Sequence, residues 1–127
     1  MHTELILYVR DQARSRDLYR ILLDRAPVLD VPGMTEFDLG GCKLGLMPET
    51  GIARIITPPL PHPQQGHGVP RCELYLLVDD LEAALGRALL AALRPVAPAA
   101  DRDWGHRVAY FADPDGHVIA LAAAIEP

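Results

Sequence analysis

The sequence has little of what a nucleic-acid-binding or membrane protein needs. Its 12 lysines and arginines are outnumbered by 17 aspartates and glutamates, and no basic run is present that would neutralise phosphates, so nucleic acid is not an expected partner. No apolar run approaches the roughly 18 residues of a membrane-spanning helix, and the first residues show no signal-peptide pattern. We therefore expect a cytoplasmic protein that does not associate with membranes.

Cysteine is also scarce. Cys42 and Cys72 have neither the CxxC spacing of a zinc site nor the number and spacing of a disulfide framework, so we expect buried free thiols. The chain must then fold on its hydrophobic core alone. Half of its 127 residues are apolar, which is sufficient for one domain that spans residues 1–127.

Hydrophobic periodicity predicts the same order of elements in both halves of the chain. In the first half, an apolar strand at 4–9 precedes a helix from Gln12 to about Arg25, which Asp11 caps and whose apolar face includes Ile21. In the second half, a strand at 73–78 precedes a helix that begins after Asp80. Three strands follow each helix, at 28–31, 34–39 and 42–48 in the first half and at 95–98, 106–112 and 117–124 in the second.

A proline-rich segment separates the two halves. Residues 57–70 contain five of the twelve prolines and two glycines, a composition that disfavours a helix or a central strand. We interpret this segment as a linker between a first module of about residues 1–56 and a second module of about residues 71–127. The sequence thus predicts an α+β fold built from two βαβββ modules.

The two halves also match residue by residue. The string from Glu4 to Asp11 matches the string from Glu73 to Asp80 at the glutamate, both leucines, the valine and the last aspartate. Further along, Gly41 matches Gly116. Because these matches open and close corresponding units, they indicate an internal duplication.

Three motifs in this order resemble the vicinal oxygen chelate superfamily of glyoxalases, bleomycin-resistance proteins and extradiol dioxygenases. They are the first strand ending in Val9-Arg10-Asp11, the helix from Ser15 to Leu23, and the segment from Tyr110 to His117 before the last strand. The resemblance covers nearly the whole chain. It implies two modules that form a curved mixed sheet around a ligand cavity, with the helices on the outer face, and commonly a homodimer.

The resemblance also identifies the positions that would hold a metal ion. Metal-dependent members of the superfamily take one ligand from the first and one from the last strand of each module, all of them His, Glu or Gln. These positions are Glu4 and Gly45 in the first module, and Glu73 and Ala120 in the second. Glycine and alanine have no donor, and two carboxylates suit only a weakly bound, hydrated cation. We therefore expect that the metal site is lost and that the protein needs no cofactor.

Alternation along the strands predicts which residues line the cavity. Leu5, Leu7 and Val9 are expected to pack under the helices, and Gly45 and Ala120 to widen the cavity. Its walls are then apolar and aromatic with a few polar groups, as in most small-molecule pockets. Trp104 lies on a loop that either closes over the mouth or packs in a core or interface. The predicted ligand-pocket residues are Glu4, Ile6, Tyr8, Lys43, Met47, Glu73, Tyr75, Leu77 and Trp104.

Three functions fit these features. The first hypothesis is metal-free binding of a small aromatic or cationic molecule between the modules of a homodimer. The second is a glyoxalase- or dioxygenase-type enzyme, that is a lyase, isomerase or oxygenase, with a degenerate metal site or with Glu4 or Glu73 as general base. If those two glutamates approach each other, one holds a proton or the pair attracts a cation. The third is an assembly role, with the cavity filled by the protein's own side chains.

Overall fold

The computed structural model describes residues 1–126, and its elements follow the predicted order with one additional α-helix and one short 3-10 helix. None of the helices within these residues is long and apolar enough to cross a membrane. The helices are α1 (Gln12–Leu23), α2 (Glu49–Ile56) and α3 (Leu81–Leu90). The strands are β1 (Glu4–Val9), β2 (Leu29–Val31), β3 (Met34–Asp38), β4 (Lys43–Pro48), β5 (Glu73–Leu77), β6 (Arg94–Asp101), β7 (His106–Ala112) and β8 (Val118–Ala124).

The strands form two four-stranded mixed sheets with equivalent strand orders, β1-β4-β3-β2 and β5-β8-β7-β6. In each sheet the first strand pairs in parallel with the last, and the remaining pairs are antiparallel. The chain divides into two compact units, a first unit of Met1–His67 and a second unit that begins at Gly68. The predicted α+β fold of two βαβββ modules is confirmed.

Aspartates begin two of the helices, as the sequence predicts. The side chains of Asp11 and Asp80 each accept a hydrogen bond of 3.0 Å from the backbone N–H three residues further on. Helix α1 ends two residues earlier than predicted because Asp24 adopts a left-handed conformation with φ of 52°, and its N–H bonds back to the last turn. The side chains that α1 buries are Ser15, Leu18, Tyr19 and Leu22, and Ile21 is 41% exposed.

The segment after β4 differs most from the prediction. Helix α2 follows the strand directly, and Glu49, Ile52, Ala53 and Ile56 are buried or half-buried at helical spacing. Within the expected linker, Pro63–Gly66 forms a one-turn 3-10 helix. Proline can begin such a turn because its missing N–H is not needed there. The prediction that the proline-rich segment contains no helix is therefore wrong at this turn.

Residues on or beside the edge strands are more exposed than alternation predicts. Strands β1 and β5 are the outer strands of their sheets. Leu5 of β1, expected under the helices, is 46% exposed, and Leu77 of β5 is 57% exposed. Cys42 is half-buried and Cys72, just before β5, is exposed; both are free thiols, but the predicted burial of Cys72 is wrong.

Candidate functional site

In the first unit, Glu4 lies beside a carboxylate that the sequence analysis did not single out. The antiparallel register places Glu36 of β3 opposite Gly45 of β4, while Gly45 also pairs with Ile6 of β1. The side chain of Glu36 forms a hydrogen bond with that of Glu4. Lys43 Nζ lies 3.8 Å from Glu36 Oε1. The structure therefore joins two carboxyl groups and one ammonium on neighbouring strands.

These surroundings raise the pKa of Glu4. Partial desolvation of this largely exposed side chain is the largest cause, followed by hydrogen bonding with Glu36 and the negative charge of Glu36, and the positive charge of Lys43 acts in the opposite direction. A carboxyl group in such a setting holds its proton to higher pH than an isolated glutamate. Glu4 can therefore act chemically as a proton donor or acceptor.

The room beside Gly45 is taken by neighbouring side chains. A Cβ at this position would lie 2.7 Å from Glu4 Oε1, 3.0 Å from Ile6 Cγ1 and 3.3 Å from Met34 Sδ. Gly45 is itself buried. The glycine thus allows Glu4 and Ile6 to pack against β4, and the prediction that it widens a cavity is wrong.

A pocket of about 550 Å³ opens at the beginning of β1 and β4. Of the residues predicted to line a cavity in this unit, Glu4 and Lys43 contribute to it, whereas Ile6, Tyr8 and Met47 lie further along the same strands. This pocket is more polar than the sequence predicts. Its lining residues are His2, Thr3, Glu4, Asp38, Gly41, Cys42 and Lys43.

In the second unit, Tyr75, Trp104 and His106 form a hydrogen-bonded aromatic cluster. Trp104 Nε1 donates a 2.9 Å hydrogen bond to Tyr75 Oη, which is also 2.5 Å from His106 Nδ1. The tyrosine and histidine ring centroids are 5.7 Å apart. Because an indole N–H can only donate, Tyr75 Oη accepts the bond from Trp104, whereas the direction of its bond with His106 depends on the tautomer of the imidazole.

The hairpin between β6 and β7 positions two members of the aromatic cluster. The carbonyl of Arg102 accepts a 3.2 Å bond from the N–H of Gly105, and the N–H of Arg102 donates a 2.8 Å bond to the carbonyl of His106. Gly105 has a φ of 88°, which glycine adopts without strain. This is the pattern of a short hairpin loop closed by a glycine in the left-handed region. It holds Trp104 at the tip, 56% exposed.

Ala120 lies between two tyrosines on the neighbouring strands. It is the Cα partner of Tyr75 on β5 and of Tyr110 on β7, and it is completely buried. Both tyrosines are half-buried and pack against the apolar cluster of Ala120, Val108 and Ala122. The alanine therefore supports two aromatic rings, and the expectation that it widens a cavity is wrong. Tyr110 was missed by the sequence analysis as a site residue, because its place beside Ala120 follows only from the register of β7.

The other predicted residues of the second unit lie along β5. Glu73 begins the strand and is exposed, and Leu77 ends it. Tyr75, between them, belongs to the aromatic cluster and packs against the apolar residues around Ala120. Of the four candidates in this unit, the structure thus brings together Tyr75 and Trp104.

The donor atoms do not fit a metal site of the type that the resemblance implies. Gly45 and Ala120 carry no donor, Glu4 fills the place beside the first, and tyrosines flank the second. Glu36 adds one carboxylate to Glu4, and within residues 1–126 no group of three or more His, Cys, Asp or Glu side chains is arranged to hold a metal ion. The loss of the metal site stays a prediction that metal analysis of the purified protein tests.

Comparisons with known proteins agree with this architecture. The family described as "Glyoxalase-like domain" matches residues 2–126. No curated protein matches the chain. Among solved structures, a glyoxalase-related enzyme from Fulvimarina pelagi is 20% identical, with a TM-score of 0.80 over 97% of this chain and 87% of that one. A glyoxalase/bleomycin resistance protein/dioxygenase family enzyme from Burkholderia phytofirmans is 15% identical, with a TM-score of 0.81 over 97% and 98%. At these identities the likeness shows the fold alone.

Proposed function

We propose that this chain, which belongs to the glyoxalase-like domain family, binds a small aromatic molecule without a metal ion. The family agrees with the predicted vicinal oxygen chelate superfamily. The observation that carries this proposal is the exposed indole of Trp104, fixed by its hydrogen bond to Tyr75. The proposed binding surface consists of the aromatic cluster and the adjacent ring of Tyr110.

Fixed, exposed aromatic rings favour binding for two reasons. Each ring offers a large apolar face, and a second ring that stacks on it adds about 0.5–1.5 kcal/mol beyond the area buried. The hydrogen bonds of Tyr75 to Trp104 and His106 order the side chains before a ligand arrives. Binding then loses less side-chain entropy than it would at a mobile loop.

The proposal is tested by titration of 2-naphthylmethanol into protein dialysed against EDTA. The indole N–H resonance of Trp104 in a ¹H–¹⁵N spectrum reports the contact without ambiguity because the chain has one tryptophan. We expect a saturable shift that Tyr75→Ala abolishes. Leu89→Ala, which removes an exposed side chain of α3, is the matched control and should leave the titration unchanged. A Trp104 resonance that no aromatic probe shifts would refute the proposal.

A second candidate function is proton transfer by Glu4. The observation that favours it is the raised pKa of this carboxyl group beside Glu36, at the edge of a polar pocket. A glutamate that titrates closer to neutrality is a better general base for a proton next to a carbonyl group. In this hypothesis Glu4 acts without a metal ion, and the substrate is a small polar carbonyl compound.

Proton exchange tests this alternative directly. Dihydroxyacetone in D₂O should lose its carbon-bound protons faster with the wild-type protein than in buffer. Glu4→Gln should remove the acceleration, whereas Glu73→Gln, at the equivalent position of the second unit, should retain it. Equal exchange with and without the wild-type protein would eliminate the enzyme hypothesis in this form.

We also expect the protein to work as a cytoplasmic homodimer with a small-molecule ligand as its partner, as the superfamily resemblance implies. Sedimentation equilibrium measures the assembly. A mass of 13.9 kDa at all concentrations up to those of the binding assay would contradict the dimer.

A further inference from the structure

Arg102 is a half-buried cation without a counter-charge. One of its terminal nitrogens donates a 3.3 Å hydrogen bond to the carbonyl of Val108. Its Nε is buried and has no hydrogen-bond partner, and no carboxylate of residues 1–126 pairs with the guanidinium. Burial of a charge is unfavourable unless the charge is paired, so this arrangement favours an anion from outside the chain.

The position of Arg102 places this charge beside the proposed aromatic surface. Its Cζ lies 5.3 Å from the centroid of the Tyr110 ring, so one face of the guanidinium is covered by the tyrosine. Tyr110 and Tyr75 flank Ala120 on neighbouring strands, which puts their backbones about 10 Å apart, two strand spacings. That separation is comparable to the length of a two-ring aromatic acid.

From these contacts we infer that the ligand is an aromatic anion whose carboxylate pairs with Arg102 while its rings contact Tyr75 and Trp104. The inference deepens the proposed binding function and rests on it. The two terminal nitrogens of the planar guanidinium keep N–H donors that Val108 does not use, and such donors bind a carboxylate with two parallel hydrogen bonds. Trp104 and Tyr75 supply the apolar contact.

A matched series of probes separates the contribution of the ligand's charge to the affinity from that of its aromatic rings. The compounds are 2-naphthoate, 2-naphthylmethanol and 2-naphthylmethylamine, which share the ring and differ in the charge of one substituent. We expect the acid to bind about tenfold more tightly than the alcohol, since a hydrogen bond to a charged group contributes at least one factor of ten, and the amine to bind most weakly. Affinities are read from the Trp104 indole resonance.

The variant Arg102→Gln should remove the preference for the acid and leave the affinity for the alcohol within about twofold. Arg107→Gln is the matched control, because Arg107 lies on the same hairpin in an exposed ion pair with Asp101 and should keep the preference. The dispersion of the ¹H–¹⁵N spectrum shows whether each variant is folded.

The outcomes distinguish this inference from the function on which it rests. If the alcohol or the amine binds the wild-type protein as tightly as the acid, the anion inference fails and aromatic binding stands. The anion inference also fails, and aromatic binding stands, if the folded Arg102→Gln variant still binds the acid more tightly than the alcohol. If none of the three probes shifts the Trp104 resonance, both proposals fail. The comparison of probes on the wild-type protein decides the question even if Arg102→Gln does not fold.

Discussion

The indole Nε1 of Trp104 donates a 2.9 Å hydrogen bond to the phenol oxygen of Tyr75, a residue 29 positions earlier in the chain. The bond joins the tip of the β6–β7 hairpin to the outer strand of the second sheet. It holds an aromatic side chain that is 56% exposed in one orientation. This arrangement is the physical basis of the proposed binding surface.

Removal of the Tyr75 hydroxyl should loosen Trp104. Tyr75→Phe deletes the acceptor of the indole bond and the hydroxyl that bonds to His106, and we expect a loss of about 1 kcal/mol in the free energy of unfolding. The Trp104 indole proton should move upfield in the ¹H spectrum, because its hydrogen bond is lost. Tyr110→Phe leaves that acceptor in place and is the control. An indole resonance that Tyr75→Phe does not shift would show that the bond is absent in solution.

A methyl group at Gly45 should destabilise the first unit. The new Cβ of Gly45→Ala would lie 2.7 Å from Glu4 Oε1 and 3.0 Å from Ile6 Cγ1, so we expect a cost of about 1–3 kcal/mol in urea unfolding. Part of this cost should disappear in a Glu4→Ala background, which removes the closest atom. Equal costs in the two backgrounds would mean that Glu4 does not occupy this place.

Gly86→Ala is the matched control for that measurement. Gly86 lies within α3, and a Cβ there meets no atom within 4 Å. We expect this change to stabilise the protein by about 0.5–1 kcal/mol, because alanine loses less backbone entropy in a helix than glycine does. If Gly86→Ala destabilises the protein as much as Gly45→Ala does, the loss at Gly45 is a general effect of replacing glycine and does not come from crowding.

The raised pKa of Glu4 predicts how stability changes with pH. The folded protein binds the Glu4 proton more tightly than the unfolded chain, first because of partial desolvation and then because of Glu36. This contribution is fully present below the ordinary pKa of glutamate and is lost as the pH rises through the raised value. Glu4→Gln should therefore reduce the fall in unfolding free energy between acidic and neutral pH. Urea unfolding at several pH values measures this fall in unfolding free energy.

Glu73→Gln provides the comparison for that experiment. It makes the same chemical change at the equivalent position of the second unit, the first residue of β5. The expected result is a change in slope for Glu4→Gln that Glu73→Gln does not reproduce. If the profile of Glu4→Gln runs parallel to that of the wild-type protein, the interaction between Glu4 and Glu36 does not influence folding.

Local patterns predicted most of the fold. Strand β7 has the predicted bounds, and the caps at Asp11 and Asp80 are where the sequence places them, because alternation and capping depend on neighbours within a few residues. Helix α2 was not predicted. It is only eight residues long and lies between a strand and a proline-rich segment, so its four inward residues did not stand out as a period.

The partners in the candidate site were harder to predict because they depend on contacts between distant strands. Glu4 and Tyr75 were named from the strand pattern and the family resemblance, but Glu36 reaches Glu4 only through the pairing of β3 with β4 and of β4 with β1. His106 lies 31 positions from Tyr75. A single sequence does not fix the register that brings such residues together.

Calorimetric titration with and without a metal ion tests most directly whether the protein binds an aromatic molecule without a metal. 2-Naphthylmethanol is titrated into protein dialysed against EDTA, and the titration is repeated after addition of one equivalent of Zn²⁺ or Mn²⁺. We expect saturable binding by the EDTA-treated protein, with a Kd that the metals change by less than about twofold. Binding that occurs only with a metal ion, or that becomes about tenfold tighter with one, would contradict it.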